Sequence, residues 1–220
     1  MSEINIQLVR EFFELHQFSV LTHWPHQDER ARSGEGGSLL FVERLGTVPD
    51  APAPFLLYGS DIRLLQRAVI EVRAWHADKF YPSVIESSPI LAHVASSEVA
   101  GLAAAIFGGE AYATVLVISE LPATAAPRAR SRQLLEALGI GHIMEFGTLL
   151  AALAAQLSSQ GNYAPSQTLQ TLRLLKRYNL LRRLQLEFPF TLEPPIRDAE
   201  PAVETDLPER KAETGIESDP

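Results

Sequence analysis

The sequence predicts an α/β domain with a mixed sheet flanked by helices, and two observations carry that reading. Strand-forming segments come first as a run of three and then alternate with helical segments. One later segment, TVLVIS at 114–119, is almost wholly apolar, as befits a central strand covered on both faces. The chain has 220 residues, 46% of them apolar, which is enough to bury a sizeable core.

Taken in order, residues 4–16 place Ile6, Val9, Phe12 and Phe13 on one helical stripe. FSVLTH at 18–23 alternates like a strand, and PHQDERARSGEGG at 25–37 reads as a loop. LLFVERL at 39–45 is the second strand. TVPDAPAPF at 47–55 holds three prolines, which forces an irregular connection. AVIEVRAW at 68–75 is the third strand. Ser88-Pro89 reads as an N-cap and first helical position, opening an Ala-rich helix that Gly108-Gly109 closes. After TVLVIS come a helix at 128–138 ended by Gly139, a fifth strand at 141–146, and a helix in TLLAALAAQL. The polar break SSQGNYAPSQ precedes a last helix over 168–186. The expected organisation is an α/β domain over 1–160, a basic amphipathic helix within 161–190 packed on or beside the core, and a disordered acidic tail over 191–220.

Charge is unevenly spread. Residues 193–220 carry nine acids against three bases, a large share of the net −8, and too few apolar groups to offset their ordering entropy. Bases cluster just before, in RLLKRYNLLRR, where Arg173, Lys176, Arg177, Arg182 and Arg183 lie between leucines. They are candidate phosphate contacts, and equally the solvated face of a docked helix. The absence of cysteine excludes disulfides, thiolate metal sites and a cysteine nucleophile. The first residues lack a signal-peptide apolar stretch, and the longest apolar runs fall short of a membrane span, so a cytoplasmic protein with no membrane association is expected. P-loop and nucleophile-elbow motifs do not occur.

The third strand raises the functional question. Glu71, Arg73 and Trp75 share one of its faces, and Ile70, Val72 and Ala74 share the other. The two charges are either an ion pair on a wet face or the lining of a polar cleft. The order αβββαβ with E-x-R on the third strand resembles the core of the PD-(D/E)xK nucleases, the restriction-endonuclease-like fold. EFFELHQFSVLTH, IEVRAWHADKFYPS and LRLLKRYNLL extend the resemblance over roughly residues 4–183. It implies a site where two acids hold Mg²⁺ or Mn²⁺ and a lysine stabilises charge on the phosphate. Here Glu71 matches the second acid, Arg73 stands in place of the lysine, and Ser38 stands where the first acid is expected. Arginine is no simple substitute, because its guanidinium stays protonated and binds as a planar fork.

The resulting expectation is a catalytically degenerate remnant of Glu71, Arg73 and Ser38, without a metal, in a module that binds DNA, RNA or a protein partner. The alternatives are an active Mg²⁺- or Mn²⁺-dependent nuclease around Glu71, or a partner-binding protein with no nucleic-acid role. Asp61 or Glu35 would supply a displaced metal-binding carboxylate, and Glu11 or Glu14 would contribute from the first helix. His23, His26 and His76 could together form a zinc site. Trp75-His76 and Phe80-Tyr81 could stack on unpaired bases, or else pack the turn after the strand.

Overall fold

The structure is a computed structural model that describes residues 3–24 and 38–180. Helix α1 (Glu3–Leu15) buries Ile6, Val9, Phe12 and Phe13 and ends where Gln17 turns left-handed at φ 65°. Strands β1 (Phe18–His23) and β2 (Leu39–Arg44) follow, then β3 (Leu56–Leu57) and β4 (Arg67–Arg73). Helix α2 (Pro82–Glu86), a 3-10 segment (Pro89–Ala95) and α3 (Ser97–Phe107) lead to β5 (Ala113–Ile118). The described chain ends with α4 (Ala125–Ala137), β6 (His142–Glu145), α5 (Phe146–Gln156) and α6 (Gln167–Arg177).

These strands form one sheet in the order β1-β2-β4-β5-β6-β3. β1, β2 and β4 are antiparallel, while β4, β5, β6 and β3 run parallel. The α/β class and the mixed sheet between helices are therefore as the sequence predicts. Alternation of side chains splits the core in two. Leu40, Val42, Ile70, Val72, Val115 and Val117 face α1 and α5. Leu39, Phe41, Val69, Leu116, Ile118 and Ile143 face the 3-10 segment, α3 and α4. Each of these buried side chains contributes about 1.5–3 kcal/mol of transfer free energy.

Three elements differ from the sequence reading. β3 lies in the proline-rich connection, where Leu56 and Leu57 pair with Ile143 and Met144. Two residues are too few to show alternation. The helix expected to run from Pro89 to the Gly108 cap is two pieces, because Ser96 is extended at ψ 158° and its hydroxyl accepts the N–H of Val99. Ser96, rather than Ser88, is the side-chain N-cap. By length and composition 89–107 would cross a membrane, yet it is broken at Ser96 and turns Leu91, Val94, Val99 and Ala103 into the core. The last helix stops at Arg177 instead of continuing to 186. Asn179 is left-handed at φ 56°, and its N–H and that of Leu180 return to Lys176 and Leu175 carbonyls. Leu169 of α6 packs into the core beneath α1, so this helix docks on the sheet domain. Residues 181–220, with the expected acidic tail, lie outside the described residues.

A buried Arg73–Glu71–His93 cluster as the candidate functional site

β4 lies between β2 and β5, and its register decides what surrounds the two charges. Glu71 is flanked by Leu39 on β2 and Leu116 on β5, and Arg73 by Ile118. Both charges sit on the face that packs against the 3-10 segment. Glu71 is fully buried and Arg73 is 2% exposed, so neither lies on a wet face.

An unpaired carboxylate in that setting would cost several kcal/mol. Glu71 is paired at both oxygens. Arg73 donates from Nε at 2.9 Å and from Nη2 at 2.5 Å to Oε1. His93 Nδ1 approaches Oε2 at 3.1 Å. Residues two apart on a strand point the same way, which lets Arg73 fold back on Glu71. His93 arrives from the 3-10 segment 22 residues away. Its hydrogen bond to Glu71 raises the imidazole pKa, burial and the Arg73 charge oppose that, and the Glu71 charge adds to it. The cluster ties the sheet to the segment leading into α3.

The other sequence candidates are dispersed. Leu39 and Phe41 share the face of Glu71, and extending that alternation puts Ser38 with Leu40 on the far face. A one-residue step changes faces, so Ser38 does not stand beside Glu71 in this register. Asp61 closes a local turn, accepting the Tyr58 N–H at 2.9 Å, and its neighbour Ile62 packs in the opposite core. Glu11 is buried under α6, accepting Gln7 Nε2 at 2.6 Å and the Ser166 hydroxyl. Glu14 pairs with Arg10 on the surface. Among the described residues no group of three His, Asp or Glu side chains could hold a metal ion. Glu35 and His26 lie outside the described residues.

His23 and His76 are not brought together: the first ring meets Phe41, the second Phe146 and the Asn5 amide. Trp75 stacks on buried Phe80 at 5.3 Å, packing the turn after β4. On α6, the Lys176 ammonium donates to the carbonyls of Ala154, Ala155 and Leu157, so it caps the C-terminus of α5. Arg173 is half-buried and Arg177 exposed on the same helix, whereas Arg182 and Arg183 fall outside the described residues. The residue that sequence reading missed is His93. Its one signal is a lone histidine inside the apolar run PILAHVA. No protein-family model, curated protein or solved structure matches this chain.

Two consequences can be measured. Arg73→Ala strands a buried carboxylate, and we expect a loss of about 3–5 kcal/mol in denaturant unfolding; an unchanged midpoint would contradict the pairing. His93 has a folded pKa above its ordinary 6.5, so its stabilisation is complete below that value and is lost as pH rises through the raised one. The native chain should therefore lose thermal stability relative to His93→Gln as pH rises above 6.5. Parallel curves for the two proteins would remove the protonated His93 from the account.

Proposed function

We propose that this chain is a nuclease-like α/β domain whose catalytic position has become structural, and that it serves as a binding module. What supports the reading is the run of α1, antiparallel β1, β2 and β4, a helical connection and parallel β5, with the two-residue β3 inserted before β4, the strand that carries Glu71-x-Arg73. One observation carries the reading. The carboxylate that would hold the metal is turned inward and engaged by Arg73 and His93. Hard cations need several oxygen ligands with net negative charge. Here an approaching divalent ion meets a guanidinium and an imidazole instead. At about 4 Å and an effective dielectric of about 20, each repelling unit charge costs about 4 kcal/mol, and twice that against a divalent ion.

The partner is nucleic acid or protein, and surface charge favours protein. Arg67 pairs with Glu43 and Glu110, Lys79 with Glu120, Arg128 with Glu145, and Arg130 with Glu86. These bases are neutralised locally instead of forming a stripe along the sheet. Arg173 and Arg177 are the described basic positions left to carry phosphate contacts from the helix that the sequence singled out.

The test is incubation with supercoiled DNA, single strands and RNA in Mg²⁺ and in Mn²⁺. The expected outcome is no cleavage of any substrate. Cleavage that disappears in Glu71→Ala would replace this reading with a nuclease. Retention on DNA at low salt, weakened in Arg173→Ala/Arg177→Ala, would assign nucleic acid as the partner; no retention would assign protein.

A further inference from the structure

A second feature lies away from Glu71 and is independent of the reading above. The end of α1, the end of β2, the Tyr58–Arg63 loop and α5 border a shallow, open cleft of about 780 Å³. That volume suits a small organic ligand. Along β2, Arg44 at this cleft lies five residues beyond Leu39, the partner of Glu71, or about 17 Å.

The lining is one-sided in charge. His16, Arg44 and Arg63 contribute to it, and no aspartate or glutamate does. Carboxylates nearby are engaged elsewhere: Asp61 on the Tyr58 N–H and on the Ser60 hydroxyl, Glu14 on Arg10, and Glu43 on Arg67. Among the described residues neither Arg44 nor Arg63 has a carboxylate partner. Arg44 is instead held over the Phe18 ring at 5.5 Å. The C-termini of α1 and α5 converge here, and dipoles of that sign would repel an anion. Several of their last carbonyls are already capped. Leu15 accepts from Gln156, Phe12 from His16 Nδ1, and Ala155 from Lys176, whose ammonium adds a further positive charge behind the wall.

We propose that this cleft binds a small phosphorylated molecule, with Arg44 and Arg63 taking the phosphate. Arginine suits that task because its planar fork matches phosphate oxygens. Tyr58, Ser60 and Thr148 line the same cleft, and Leu15, the Tyr58 ring and Ala155 supply apolar surface for the body of the ligand. The loop is seated firmly against α5. A Cβ on Gly59 would lie 2.5 Å from the Ala152 Cβ, so only glycine lets the two approach this closely. His16 reports on the site: burial lowers its pKa, its hydrogen bond to Phe12 opposes that, and the Arg44 charge lowers it further.

The experiment titrates the full chain with adenosine 5′-monophosphate, a sugar phosphate, phosphoserine and inorganic phosphate, with adenosine as the uncharged control. Calorimetry reads affinity, and NMR follows the His16 ring. At least one phosphate monoester should bind while adenosine does not, and its binding should raise the His16 titration midpoint, since a neighbouring anion favours the imidazolium. Affinity should fall at least about tenfold in Arg63→Gln, the scale of one lost charge-assisted contact. Arg63 is exposed, so that variant should melt like the native chain without ligand, separating lost binding from lost folding. Failure of every phosphate compound to bind, or equal affinity in Arg63→Gln, would overturn the proposal.

Discussion

The carboxylate of Glu71 sits in the middle of a sheet, with leucines on both neighbouring strands, where water cannot reach it. Everything around it follows from the cost of that position. A guanidinium two residues along the same strand and an imidazole from the far end of a connecting segment meet its two oxygens. Removing either partner leaves charge in a medium that solvates it poorly, so the cluster constrains the packing of a whole face. The 3-10 segment that carries His93 also turns Leu91 and Val94 into the core, so polar and apolar contacts position it together. Buried ion clusters of this kind are weak contributors to net stability compared with apolar replacements. Their consequence is specificity of arrangement.

That arrangement also bears on chemistry. A metal site of the nuclease type needs acids converging on one ion, and among the described residues the acids lie apart. Glu11 is committed to the helix interface with Ser166, Asp61 to a turn, and Glu14 to the surface. Arginine at position 73 makes this closure possible, because its fork reaches Oε1 through two nitrogens. The same geometry that makes Arg73 a good clamp makes Glu71 a poor ligand.

Much of the architecture was legible because it rests on local patterning. The stripe of Ile6, Val9, Phe12 and Phe13 gave α1, and the apolar run at 114–119 gave the buried β5. The alternation in IEVR correctly put Glu71 and Arg73 on one face. It could not say that this face is dry, since that depends on a segment folding over it from 22 residues away. His93 was invisible for the same reason. Whether Ser38 shares the face of Glu71 is set by register, which periodicity leaves free. Lys176 read as a phosphate contact because a lysine on a helix shows its charge in sequence but not the carbonyls that it reaches. Ser96 escaped notice inside an Ala-rich run, although Ser-Ser-Glu is the capping chemistry that ends one helix and starts another.

The central claim is that Glu71 and Arg73 satisfy each other in the core, and a double-mutant cycle in chemical denaturant measures that directly. Glu71→Leu, Arg73→Met and the pair together would be compared with the native chain. Residues in contact should be strongly non-additive, so the double variant should be more stable than the sum of the singles implies by about 1–3 kcal/mol. Simple additivity of the two losses would contradict the account.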